Sequence, residues 1–417
     1  MIIETKSKSI IVQVEIPISN SMLTTEENIL KALNSVGLEA TEYAISQFDT
    51  DGSPIKIGNT RYTTKGQISK SYQTPYGEVT LPRHVYQNCS GGSTYCPLEN
   101  SARIIVGSTP KFCKMISSKY SENGSSRVQK DLLENHGRYI SRSFIQDISE
   151  AVVQTIQSKQ EYWEYEIPVA PEEVFTIAIS LDGTCMLMVG DGYRIAMVGT
   201  ISLLDKEGER LYTHYTSGTP EYGKAKFYEE FEKDIEHIKS LYPKATCVGI
   251  ADGAKDNWIF LEKHTVRQIL DYFHAAEYLA LVAEMAFKKK ENGKEWLNNA
   301  RHKLKHEDVG AKELLGEMKI LASKKLTDAK KMKIKSAITY FENHLHQMHY
   351  KEYQGLKYPI GSGVIEAACK VIIKQRLCNS GMKWKDDGAK AVLCLRCLNY
   401  STGKWTQLWD KINKYGK

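Results

Sequence analysis

Three carboxylates stand where chemistry could be mounted: Asp182 in "SLDGT", Asp252 in "GIADGA" and Glu366 in "YPIGSGVIEAACK". By period two, Phe175, Ile177, Ile179 and Leu181 form one apolar strand face, so Asp182 points to the other with Ser180 and Thr184. A carboxylate inside an apolar strand costs free energy unless it is paired or binds a metal. The strand pattern continues through Cys185, Leu187 and Val189, and the hairpin turn falls at Gly190 to Gly192. Asp252 ends a short apolar run, the position where α/β sheets place ligands. It could equally cap the helix "KDNWIFLEKH", and Asp256 competes with it. Glu366 alone could pair with Lys370 at i+4, with Lys374 a turn further on. Together, two strand carboxylates and one helix carboxylate suit Mg²⁺, a hard cation that takes oxygen ligands. Two such ions about 3.5–4 Å apart can hold the attacking and leaving oxygens of a phosphodiester.

The elements that would position these groups follow from periodicity. Residues 172–287 give three strands joined by hairpins, then helix, strand, helix and strand, with "TVRQILDYFH" as the last strand. Antiparallel strands followed by βαβ units predict a mixed sheet flanked by helices. Residues 288–357 are helical and basic, and residues 358–417 supply a late helix and the C-terminal helices. Residues 1–60 contain a short helix, "LTTEENILKALNSVG", ending at Gly37. In residues 61–160, "SYQTPYGEVTLPRHVYQ" reads as a β-hairpin around Pro75-Tyr76-Gly77. "NCSGGSTYCPLE" reads as a loop, and residues 126–156 read as helix, turn at Gly137, and helix capped by Ser141. That pair has the size of a helix-turn-helix, with Arg138 and Arg142 as candidate DNA contacts, and equally of an ordinary αα-hairpin. "SKQEYWEYEIPVAPEE" reads as a linker.

Composition bounds the setting. The 417 residues are 41% hydrophobic and 25% charged, which suffices for two or three globular domains. Nine dispersed cysteines fit a reducing compartment better than a disulfide framework. No signal peptide and no apolar run of membrane-spanning length are visible, so a soluble cytoplasmic protein is expected. The net charge of +6 is uneven: residues 284–417 hold 28 Lys/Arg against 14 Asp/Glu, while residues 1–283 are net acidic. That asymmetry fits a polyanionic partner or a solvated lysine-rich surface.

The ordered set "SLDGT", "GIADGA", "DYFHAAEYL" and "YPIGSGVIEAACK…RLCNSGMKW" resembles DDE transposases of bacterial insertion sequences, most closely the ISKra type. The resemblance covers residues 172–400, and residues 60–155 more loosely. It implies an RNase H-like core with an all-helical insertion before the last catalytic helix, and an N-terminal α+β DNA-binding region. It further implies Asp182, Asp252 and Glu366 as ligands of two Mg²⁺ ions, with Mn²⁺ substituting. The spacings of 70 and 114 residues suit that family. "DYFH" resembles its C/D-x-x-H feature, which makes Asp271 and His274 supports of the site. The activity implied is cutting of element ends and joining to target DNA. A nuclease or resolvase on the same core, and a catalytically silent DNA-binding derivative, are the alternatives. Lys370, Lys374, Arg376, Lys383 and Lys385 would track DNA backbone, and Trp384 would stack on a base or pack at a helix end. Double-stranded DNA is the expected partner, in a homodimer or larger assembly near the nucleoid.

Other motifs carry less. The phosphate-loop pattern G-x-x-x-x-G-K-[ST] is absent around "GSG". "HLHQMH" (His344, His346, His349) reads as a surface helix, although His346 and His349 at spacing three could share a metal. Cys394 and Cys397 form a lone CxxC in a helical pattern, and Cys89 and Cys96 offer two ligands where zinc needs four, so no structural zinc is expected.

Overall fold

The computed structural model describes residues 2–6, 9–159, 161–168, 172–220 and 224–416. The chain divides into two compact units, residues 1–166 with 394–399 and 403–417, and residues 167–393 with 400–402. Among the described residues no helix is long and apolar enough to cross a membrane.

The first unit begins with β1 (Ile2–Lys6) and β2 (Ser9–Val12), an antiparallel pair. Then come α1 (Met22–Ser46) and a three-stranded antiparallel sheet of β3 (Ile55–Ile57), β4 (Thr60–Gln73) and β5 (Glu78–Asn88). The expected hairpin turn is present: Thr74 Oγ1 accepts from the Tyr76 and Gly77 N–H groups, at 3.1 Å each. The helix expected to stop at Gly37 runs on to Ser46. The glycine serves a close approach instead, since a Cβ there would lie 2.4 Å from the Tyr76 ring of the hairpin turn. Ile45 of α1 shares a core with Tyr72, Val79, Leu81, Leu98 and Ile104, so the expected boundary at 60/61 separates nothing.

α2 (Pro97–Ser101) interrupts the expected loop, and α3 (Pro110–Glu122), α4 (Ser125–His136) and α5 (Arg142–Ser158) follow. Gly137 ends α4 in the left-handed region and Ser141 caps α5 through the Phe144 N–H, as expected. Of the expected linker, residues 160 and 169–171 lie outside the described residues. Within the rest, Trp163 and Ile167 are buried, so those stretches are packed chain.

The second unit carries a five-stranded sheet. β6 (Thr176–Met188), β7 (Gly192–Leu204) and β8 (Arg210–Gly218) are successive antiparallel neighbours. After α6 (Ala225–Leu241), β9 (Thr246–Ala251) pairs parallel with the other edge of β6. After α7 (Lys255–His264), β10 (Arg267–Leu270) pairs parallel with β9. The order is β10-β9-β6-β7-β8, the mixed sheet expected from the sequence. The last strand is shorter than "TVRQILDYFH", because Asp271 turns the chain into α8 (Tyr272–Ala286) by accepting its first N–H groups. Phe175 precedes β6 and is exposed, whereas Thr176 to Leu181 are buried on both faces. The reason is that helices cover both: α6 and α7 on one side, the late helix on the other. Fully buried Ile179, Ile201, Phe231, Val248 and Leu279 anchor this core, each contributing about 1.5–3 kcal/mol.

Four helices make up the basic stretch: α9 (Lys290–His306), α10 (Gly310–Ser323), α11 (Asp328–His344) and α12 (Tyr350–Gly355). Their apolar faces, including Leu304, Leu314, Ile334 and Phe341, join the core of the sheet. The helix expected through "HLHQMH" breaks: α11 ends at His344 and a 3₁₀ turn spans Leu345–Gln347, so the three histidines do not share one helix face. α13 (Gly363–Ala368), a π-helical turn (Cys369–Lys374) and α14 (Gln375–Leu377) form the late helix, followed by α15 (Asp386–Tyr400) and α16 (Lys404–Tyr415). Residues 358–417 therefore divide, with α16 belonging to the first unit.

Candidate active site

Strand register assembles the acidic residues. Ser180 of β6 pairs with Ile250 of β9, and two residues further along each strand stand Asp182 and Asp252. Leu270 of β10 pairs with Ala251, and the next residue of each is Asp271 and Asp252. Three aspartates thus form a row across neighbouring parallel strands, with Asp182 midway along β6 and Asp252 and Asp271 just past the C-terminal ends of β9 and β10. Adjacent members are separated by about one strand spacing of 4.8 Å in the backbone.

Asp182 is half-buried, and its carboxyl is held above the usual range. Burial is the main cause, and the negative charge of Asp252 adds to it. The Gly183 N–H, 2.6 Å from Oδ1, opposes the shift, as do the Cys369 thiol and the charge of Lys374. Cys369 Sγ lies 3.6 Å from Asp182 Oδ2. Burial and the charge of Asp182 push that thiol up to about 12, so it stays protonated and donates. Two neighbouring carboxylates with this little compensation fit a divalent cation, which would relieve both burial and repulsion.

Asp252 follows β9 directly. Its Oδ1 accepts the Ala254 N–H at 3.2 Å. Gly253 has φ +108°, which favours glycine. Two residues of α11 cover this turn. The Tyr340 hydroxyl donates to the Asp252 carbonyl at 2.7 Å, and the Tyr340 ring stacks on Tyr278 with centroids 4.0 Å apart. His344 lies against Tyr340, and its Nδ1 contacts Gln347 Oε1 at 2.7 Å. Burial keeps His344 below the usual imidazole range.

Asp271 is 0% exposed and its oxygens are fully engaged. Oδ1 accepts from the Phe273 and His274 N–H groups at 2.5 and 3.3 Å. Oδ2 accepts from the Ser362 N–H at 3.0 Å and from the Ser362 hydroxyl, with His274 Nδ1 at 3.5 Å. The same hydroxyl lies 2.9 Å from Glu366 Oε1. One hydroxyl carries one proton and cannot satisfy two carboxylates, so a proton or a cation belongs near this pair. Asp271, His274 and Glu366 each place one ligand atom within 4.8 Å of the others.

The expected triad is therefore only partly gathered. Asp182 and Asp252 are neighbours, while exposed Glu366 is turned toward Ser362 and groups with Asp271 and His274. Its helix nevertheless packs on β6 and β7, on the face that carries Asp182. Ser362 does not cap α13 with its side chain, because its hydroxyl is spent on the two carboxylates. No salt bridge joins Glu366 to Lys370 or Lys374 among the described residues. The π turn begins at Cys369, in the same late helix as Glu366, and such turns are frequent at functional sites.

The expected DNA contacts separate by burial. Lys370, Lys374, Lys383, Lys385 and Arg142 are exposed. Arg376 (2% exposed) and Trp384 (9%) are buried: the guanidinium sits 5.0 Å from the indole centroid, and Trp384 Nε1 donates to the Leu377 carbonyl. Both are packing residues, against the expected backbone contact for Arg376 and in line with the helix-end alternative for Trp384. Arg138 is likewise engaged, donating to the Thr74 carbonyl and to Gln73 Oε1 and lying over Phe112. Cys369 and Tyr340 escaped the sequence reading, and Ser362 was legible only as a start of the late helix. Tyr340 and Ser362 sit in amphipathic or turn patterns that mark burial or capping and nothing more.

No protein-family profile matches this chain, and no curated protein matches it.

Proposed function

We propose that this protein is a metal-dependent DNA-cutting and DNA-joining enzyme of the DDE transposase type, on an RNase H-like core. The observation that carries the reading is the register of β6 and β9. It makes Asp182 and Asp252 neighbours on one sheet face, close enough for one charge to raise the other's carboxyl, beneath the helix bearing Glu366. The strand order, with three antiparallel strands and two parallel ones added at the β6 edge, supports the same core.

Asp182, Asp252 and Glu366 would hold Mg²⁺ or Mn²⁺, with Asp271 and His274 steadying Glu366 through Ser362. Divalent ions, when bound there, supply a water of lowered pKa and charge stabilisation at phosphorus. Lys374, exposed beside Asp182, and Lys370, Lys383 and Lys385 hold the DNA backbone. Residues 126–156 with Arg142 bind duplex. The protein acts on DNA in the cytoplasm as a dimer or larger assembly.

The test uses the full chain with duplexes taken from the DNA flanking its coding sequence, in Mg²⁺ or Mn²⁺. Strand cleavage that stops with chelator is expected, followed by joining when a 3′-hydroxyl end is supplied. Asp182→Asn, Asp252→Asn and Glu366→Gln should each lower cleavage by about 10²–10³-fold or more while leaving gel-shift binding intact. Cleavage at full rate in any of the three overturns the assignment. Cleavage without joining reduces the protein to a nuclease.

A further inference from the structure

Helix α11 lies 76 to 92 residues beyond Asp252 in the chain, yet it closes over the Asp252 turn. The Tyr340 hydroxyl ties it to that turn by donating to the Asp252 carbonyl at 2.7 Å. The ring is held from behind by the stack on Tyr278 of α8, and from the side by His344. The turn leaves no space under it. A Cβ on Gly253 would meet Tyr340 ring carbon at 3.0 Å and His344 Nε2 at 3.2 Å, in a backbone conformation that disfavours side chains. Tyr340 is thus wedged between the Tyr278 ring and the Asp252–Gly253 turn.

We propose that Tyr340 is a positioning residue of the active site, holding the Asp252 carboxylate in place through its backbone, and that the basic helical segment is for this reason part of the catalytic unit. The inference rests on the reading of Asp252 as a metal ligand. Asp252 stands one residue past the end of β9, at the start of the turn. Its carbonyl is anchored from α11 and its carboxylate from the Ala254 N–H. Releasing the first anchor frees the turn to move, and small displacements of a ligand weaken a metal site. Groups that orient ligands cost about 10–100-fold in metal affinity or activity when removed.

The experiment measures Mn²⁺ binding to the full-length protein by the loss of the free Mn²⁺ paramagnetic resonance signal, together with cleavage kinetics and thermal unfolding. Tyr340→Phe keeps the stack and deletes the hydroxyl. It is expected to raise the Mn²⁺ Kd about 10-fold and to lower kcat, with KM for DNA and the melting temperature close to wild type. Gly253→Ala is the second variant, which retains the hydroxyl but crowds the ring, and it should weaken Mn²⁺ binding likewise. Wild-type Mn²⁺ affinity in Tyr340→Phe overturns the inference. If that variant does not fold, wild-type affinity in Gly253→Ala overturns it instead. Asp252→Asn separates the two levels. If it loses Mn²⁺ binding while Tyr340→Phe does not, only the positioning role fails. If Asp252→Asn binds Mn²⁺ as wild type does, the reading of Asp252 as a ligand fails.

Discussion

Glu99 in the first unit and Asp182 in the second are both half-buried acids, yet their carboxyls are shifted in opposite directions. Burial is the largest influence on each, and it favours the neutral form. At Glu99 it is outweighed: Lys70, Tyr72 and Arg83 reach Oε1 at 2.8, 2.9 and 3.2 Å, and the carboxyl falls below its ordinary value. At Asp182 it is reinforced by Asp252, and the carboxyl rises. One acid is supplied with cations and donors by its own fold. The other is placed beside a second acid and left short of positive charge. The pair therefore contrasts a carboxylate compensated by its own fold with one left uncompensated, the state that a metal would relieve under the proposed function.

The largest effect that could break this comparison is on catalysis. Asp252→Asn should remove about 10²–10³-fold or more of DNA cleavage. Glu99→Gln should leave the rate per folded molecule unchanged. Equal losses in both variants would erase the distinction.

Stability should show the reverse order. Glu99→Gln gives up charge-assisted hydrogen bonds at a partly exposed site, a cost of about 1–2 kcal/mol. Because folding lowers the Glu99 carboxyl, its contribution is present above the value of the unfolded chain. It is lost as pH falls through the lower, folded value. Urea unfolding at pH 7 should therefore separate wild type from Glu99→Gln, and the gap should close in acid. A gap that widens toward low pH would contradict the direction assigned to Glu99.

Asp182→Asn should move the other way. The amide keeps the shape, its oxygen still accepts the Gly183 N–H, and the repelled buried charge is gone. Without metal, a gain of about 1 kcal/mol is expected, or roughly 2–4 °C in Tm. A lower Tm in chelator would mean that Asp182, like Glu99, is held by its neighbours.

Much of this contrast could be read from residues alone, and the part that could not has a common cause. Strand alternation placed Asp182 opposite the apolar face, and the end of an apolar run placed Asp252, because both signals are local. Gly190 and Gly192 marked the β6–β7 turn, and both have positive φ. Tertiary partners were not legible. Gly37 looked like a helix end because glycine disfavours helix interiors, but the demand came from Tyr76, distant in the chain. Arg376 looked like a DNA contact, and Trp384 like a base-stacking or a helix-end residue, because basic and aromatic residues interleave there, yet composition does not say that the two will be buried against each other. Glu366 was legible as a carboxylate on a late helix, but not its attachment to Ser362, which depends on Asp271 lying beneath the same hydroxyl.

The smallest expected effect concerns the cations on the two sides of the comparison. Lys70 is bound to Glu99 at 2.8 Å, whereas Lys374 makes no ion pair among the described residues and acts on Asp182 only through its charge. An exposed lysine beside two acids, already short of a close partner, is available to a phosphate. Lys374→Ala should weaken DNA binding a few-fold and reduce the slope of log K against log salt concentration by about 1. Lys70→Ala should leave that slope unchanged, since its charge is already neutralised by Glu99. Arg376→Ala, which empties a packed site against Trp384, should lower stability and not the slope of the molecules that remain folded. A salt slope unaffected by Lys374→Ala would place the DNA backbone elsewhere on the basic surface, and Lys370, Lys383 and Lys385 would be the next substitutions to measure.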